Sequence, residues 1–139
     1  MREAVMVQRI LVYLRGLPGA CVAVKIHGSP YQQVGWPDIT AVYKPVGWPL
    51  ASYGIPVYLE IKQPGACPTR VQRHRLRRLQ EAGAIAEVVS SVEEVAAVLV
   101  KYGVLVASEN RLACPPPANA GDLQARRFSS ERPTRATAR

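Results

Sequence analysis

Asp38, Glu60 and Lys62 are the residues whose types and spacing suit chemistry on a phosphate ester. Asp38 follows Pro37 at the head of the apolar run ITAVY, and Glu60 and Lys62 stand two apart in PVYLEIK. A strand, with its period of two, turns Glu60 and Lys62 to the same face. Hard Mg²⁺ or Mn²⁺ prefers oxygen ligands and usually takes one or two carboxylates plus several waters. A cation on Asp38 and Glu60 would lower the pKa of a water and screen the charge building on the phosphate. Lys62 would orient or deprotonate that water, or stabilise the oxyanion. An isolated Glu-Ile-Lys is otherwise a solvent-exposed strand face, so further polar residues must converge on the same place.

Two helices offer such residues. Residues 2–15 have a helical period in which Glu3, Val7, Ile10, Leu11 and Leu14 share one face with Met6 at its edge, ended by Gly16, Pro18 and Gly19. Glu3 is a carboxylate on an apolar stripe, and a solvated acid favoured by the helix dipole is its plainer reading. Thr69 is the expected N-cap of a helix over residues 70–82, with Gln72 at the third position as in a capping box and Gly83 as its stop. Val71, Leu76, Leu79 and Ala82 span the core side of that helix, and Gln72 falls within their arc. Its amide therefore needs a partner, either the cap or a group in the core.

The elements that must position these residues follow from periodicity and breakers. Residues 21–26 (CVAVKI), 38–43, 56–62 and 84–89 (AIAEVV) are expected strands. Residues 31–35 are a loop, and residues 44–56, with three prolines and two glycines, are the connection where two strands turn around. Ser90 and Ser91 with Glu94 cap a helix over residues 92–102, whose apolar side is Val95, Val98, Leu99 and Tyr102. The order is helix, three strands, helix, strand, helix. One core fits in 139 residues at 48% hydrophobic composition, which leaves no space for a repeat array or a second catalytic domain.

The formal charge of +8, from 18 Lys plus Arg against 10 Asp plus Glu, points to a polyanionic partner, nucleic acid first. Arg70, Arg73, Arg75, Arg77 and Arg78 place five arginines in nine residues, and a phosphate-tracking, DNA-binding role is favoured over a solvated face, which would mix signs. Residues 111–139 turn to Pro, Ala, Gly, Ser, Thr and Arg with few apolar positions, an expected disordered basic tail to a domain over residues 1–110. The cysteines, Cys21, Cys67 and Cys114, are odd in number and widely spaced, against a disulfide framework or a CxxC zinc site. With neither a signal peptide nor a roughly 20-residue apolar run, the expectation is a soluble, cytoplasmic protein.

Gly35-Trp36-Pro37-Asp38-Ile39, Glu60-Ile61-Lys62-Gln63-Pro64-Gly65, then Thr69, Gln72, Leu76, Leu79 and Ala82-Gly83-Ala84, in this order and at these separations, resemble the VRR-NUC family of the PD-(D/E)XK nuclease superfamily. The match covers roughly residues 3–99. The resemblance implies a restriction-endonuclease-like αβββαβα fold, a central mixed four-stranded sheet flanked by helices. It implies Asp38 and Glu60 as metal-binding carboxylates, with the Ile61 carbonyl a further ligand and Glu3 completing the site. Lys62 and Gln72 resemble the family's catalytic lysine and its second-helix glutamine.

The expected activity is then a divalent-metal-dependent DNA endonuclease. By analogy with standalone members it is a homodimer acting on branched, Holliday-junction-like DNA, although fold kinship does not fix a substrate. The alternatives are a catalytically silent DNA-binding or regulatory module with the same fold, or a metal-dependent hydrolase of a small phosphorylated substrate, which would not need the arginine helix. His27 and His74 lack partners at metal-ligand spacing, and Cys67 lacks a Cys/His partner for nucleophilic chemistry. Trp36, Trp48 and Tyr53 are expected to pack loops, with a wedge at a DNA branch as the alternative.

Overall fold

In the computed structural model, residues 2–28, 33–49 and 52–106 are described. The elements run α1 (Glu3–Arg15), β1 (Gly19–Lys25), β2 (Ile39–Pro45), β3 (Ile55–Ile61), α2 (Arg70–Glu81), β4 (Ile85–Val89) and α3 (Val92–Lys101). This is the expected αβββαβα order. The sheet is mixed, in the order β1-β2-β3-β4, with β1, β2 and β3 antiparallel and β3 parallel to β4. The β2 to β3 link is a hairpin, and α2 is the crossover that a parallel pair requires.

Period-two alternation builds the core. Ile39, Ala41 and Tyr43 of β2 and Val57, Leu59 and Ile61 of β3 are buried against Met6, Val7, Ile10, Leu11 and Leu14 of α1 and Val95 and Leu99 of α3. The Tyr43 hydroxyl, buried there, donates to the Pro18 carbonyl at 2.8 Å. The opposite face receives α2, which packs over β3 and β4. Gln80 of α2 donates its amide to the Ala86 carbonyl of β4 at 2.6 Å. Over β1 and β2 nothing among the described residues covers that second face, and the cross-strand pair Val22 and Val42 is exposed, with Val24 beside it.

Several expectations are corrected. The hairpin arms extend into the expected 44–56 loop, because β2 runs to Pro45 and β3 starts at Ile55. Pro56 fits there because β4 pairs only from Val57 onward, so its missing N–H interrupts no bond on that side. The apolar stripe of α2 is narrower than the wheel implied. Leu76 alone is fully buried, whereas Val71 and Ala82 are exposed near the helix ends. Tyr102 stands outside α3 and is exposed, its hydroxyl bonded to the Glu87 carboxylate at 2.9 Å. No helix among the described residues is long and apolar enough to cross a membrane. The basic tail, with Cys114, lies outside the described residues.

Candidate active site

The site forms where the β2–β3 ladder ends. Ile39 pairs with Leu59, so a continued ladder would set Ile61 opposite Pro37. Instead the Ile61 N–H donates to Asp38 Oδ2 at 2.9 Å, and the Asp38 carbonyl accepts from the Ile26 N–H at 2.8 Å. Asp38 is thus fixed through backbone and side chain at the junction of three chain segments. Its carboxylate takes the place of a lost ladder acceptor.

Glu60 is 1% exposed, the one charged side chain that is buried among the described residues. It points from β3 under α2, on the face away from the main core. Lys62, on the same face, contacts Glu60 Oε1 at 2.8 Å, and the Gln72 side-chain amide donates to the same oxygen. Glu60 Oε2 has no hydrogen-bond partner among the described residues. Burial pushes the Glu60 pKa up; the Lys62 hydrogen bond opposes this and the Asp38 and Glu3 charges add to it. The Lys62 pKa is also raised, first by its hydrogen bond to Glu60, so Lys62 is held as an ammonium.

Gln72 answers both roles open to it. Its Oε1 accepts from the Thr69 N–H at 2.8 Å, while the Thr69 hydroxyl accepts from the Gln72 N–H at 3.2 Å, a complete capping box. Its Nε2 is left to donate to Glu60. Gly35 is what lets α2 sit this close. Its φ of 78° is one L side chains avoid, and a Cβ there would come 2.7 Å from the Val71 side chain and 3.2 Å from the Gln72 nitrogen.

The structure therefore brings together Asp38, Glu60, Ile61, Lys62 and Gln72. Glu3 is exposed at the start of α1, and among the described residues no three His, Cys, Asp or Glu side chains are grouped closely enough to cage a metal. Its charge still reaches Glu60 and Lys62. Asp38 also borders an open cleft of about 200 Å³ lined by Ile26, Gly28, Gln33, Val34, Gly35 and Trp36.

This chain is similar to a solved structure described as a VRR_NUC domain, with a TM-score of 0.54 over 72% of this chain and 95% of that one, at 20% identity. The fold is that of a VRR_NUC domain. No family model matches the sequence, and no curated protein does. At this identity the VRR_NUC likeness is one of fold.

Trp36 and Arg75 have a relationship that sequence reasoning did not find. The Trp36 indole N–H donates to the Thr40 hydroxyl at 3.4 Å, its ring meets Tyr58 edge-on at 5.7 Å, and the Arg75 guanidinium lies 5.8 Å from its centroid. Arg75 is half-buried here, while Arg70, Arg73, Arg77 and Arg78 are exposed. The helical phase of Arg75, three residues after Gln72, was the available signal. Trp48 and Tyr53 are exposed on the hairpin, at the end of β2 and β3 away from Asp38 and Glu60.

Proposed function

We propose that this protein is a divalent-metal-dependent DNA endonuclease whose site is Asp38, Glu60, Lys62 and Gln72. The observation that carries the reading is Glu60: buried, with one oxygen held by Lys62 and Gln72 and the other without a partner. A buried carboxylate oxygen left unpaired is costly, and a cation is the partner that would most reduce the cost. The donors suit a hard ion, since two carboxylates with the Ile61 carbonyl leave positions for water. Mg²⁺ or Mn²⁺ bound by Asp38 and Glu60 would supply an activated water and charge screening.

The chain's own residues do the rest. Asp38 and Glu60 are fixed on neighbouring strands, so little reorganisation accompanies binding. Lys62, kept protonated by Glu60, donates hydrogen bonds to the phosphate oxygens as charge builds on them. Water oxygen forms a new P–O bond as one ester P–O bond breaks, leaving a phosphate monoester and a hydroxyl. Gln72 holds Glu60 in place and ties it to α2, whose arginines face the polyanion. Glu3 is an outer contributor through its charge.

The purified protein is expected to cut DNA with Mg²⁺ or Mn²⁺, on a panel of single-stranded, duplex, flap and four-way-junction substrates. Undiminished cutting by Asp38→Ala or Lys62→Ala would overturn the site. Binding without cutting by the wild type would leave the silent DNA-binding module as the better reading. A homodimer selective for branched DNA is the finer form of this proposal. The Val22, Val24 and Val42 side chains on the sheet face over β1 and β2, uncovered among the described residues, support it, because an exposed apolar patch marks an interaction surface. A monomeric mass by light scattering, with no preference for four-way junctions, would sink it.

A further inference from the structure

Five arginines on one helix suggest one diffuse basic surface, yet their environments divide them. Arg78 has a loose surface pairing with Glu81 at 3.6 Å, and Arg70, Arg73 and Arg77 are likewise exposed. Arg75 lies against Trp36, with its Nε shut off from solvent and without an acceptor among the described residues. No acidic side chain among the described residues pairs with it. A guanidinium is planar, presents five N–H groups in a fixed fork and stays charged. Ordering it and partly desolvating it with no acceptor is unfavourable, and an anion on its open edge would offset that.

Its position says which anion. Arg75 is three residues from Gln72, about 4.5 Å of helix rise, and Trp36 is two residues from Asp38. A strand whose reacting phosphate sits at Asp38, Glu60 and Lys62 would thus bring a neighbouring phosphate to Arg75. Trp36, held by Thr40 and Tyr58, gives the guanidinium a fixed aromatic neighbour.

We propose that Arg75, laid on Trp36, is the fixed contact to a backbone phosphate adjacent to the one that is cut, and so sets the register of the DNA strand in the site. The four exposed arginines attract DNA without positioning it. This rests on the nuclease reading above and adds a positioning residue to it.

The test uses the full chain and DNA duplexes in which one phosphate at a time is replaced by a neutral methylphosphonate. For the wild type, neutralising one phosphate beside the cut is expected to lower kcat/KM about tenfold, the size of one charge-assisted contact. Arg75→Met keeps a stem on Trp36 but loses the fork. It is expected to erase that penalty and to spread cutting over neighbouring bonds. Arg73→Met is expected to keep the full penalty and single cut position, and to lower the salt slope of binding by about one. Should Arg75→Met not fold, Arg75→Lys, which retains charge but no planar fork, is expected to keep less than half the penalty and to scatter the cuts. An unchanged penalty and cut position in the folded Arg75 variant would make it a packing residue and overturn the proposal. If the wild type binds DNA without cutting it, the nuclease reading fails, and the same loss of phosphate coupling, read by fluorescence anisotropy, still supports the Arg75 contact. Absence of any DNA binding overturns both.

Discussion

Gln72 is bonded at both ends of its amide, accepting from the Thr69 N–H at 2.8 Å and donating to the buried Glu60 carboxylate. Helix cap and site share one side chain, and a substitution can separate them. Gln72→Glu keeps a capping-box residue, since Glu serves there as well as Gln. It sets a second carboxylate against Glu60, however, and like charges at hydrogen-bond distance cannot both ionise without cost. Gln72→Glu is expected to lower the neutral-pH stability of the metal-free protein by about 1–2 kcal/mol, with much of the loss recovered as pH falls and the pair takes up a proton. Thermal melts across pH check this. A loss of equal size at every pH would mean that only the cap was damaged.

Glu60→Gln is expected to stabilise the metal-free fold while abolishing cleavage. The folded-state pKa of Glu60 is raised, first by burial. The folded protein therefore binds this proton more tightly than the unfolded chain, and stability falls as pH climbs from the ordinary carboxylate range through the raised value. Lys62, raised by its bond to Glu60, contributes in the opposite sense, with stability present at neutral pH and lost only as pH rises through its folded-state pKa. A glutamine removes the buried charge at nearly the same volume and keeps an oxygen to accept from Lys62 and Gln72. The variant's melting temperature, minus that of the wild type, is expected to grow from near zero at pH 4 to several degrees at pH 7, for about 1 kcal/mol. A difference independent of pH would contradict the role given to burial.

Gly35→Ala tests how α2 is held over Glu60. The added Cβ would meet Val71 and the Gln72 backbone in a left-handed conformation that alanine avoids. A loss of about 1–3 kcal/mol is expected, together with a fall in cleavage larger than the population of unfolded protein explains, because Gln72 would be displaced. Activity measured well below the melting temperature distinguishes the two. Full activity per folded molecule would mean that Gln72 is not positioned through Gly35.

The αβββαβα order was legible because each element carries its own period and breaker: Gly16 after α1, Gly83 after α2, Ser90-Ser91 before α3. Asp38, Glu60 and Lys62 were legible as a set through their motif order. The burial of Glu60 was not, because a Glu-x-Lys strand face reads as solvent-exposed until a helix covers it. Arg75 was hidden among four arginines of the same composition, and its partner Trp36 sits in a loop with no period to orient it. Glu3 as a third ligand came from the resemblance; the buried stripe of α1 starts one turn later, at Met6 and Val7, and Glu3 is exposed.

The metal proposal can be checked without any cleavage assay, because an ion that binds only the folded state stabilises it by mass action. At 100 times its Kd this amounts to about 2.7 kcal/mol. Mn²⁺ or Mg²⁺ is expected to raise the melting temperature of the wild type, and Asp38→Asn or Glu60→Gln to remove most of the rise. Glu3→Gln is expected to reduce it only slightly, since Glu3 is exposed and its charge is open to screening by salt. Stabilisation should grow with pH through the raised pKa of Glu60, because the ion needs the carboxylate deprotonated. If Glu3→Gln abolishes the shift as fully as Asp38→Asn, then α1 moves onto the site when the ion binds, and the third ligand belongs to the set after all. If neither carboxylate variant alters it, the ion binds elsewhere and the unpartnered Glu60 oxygen needs another explanation.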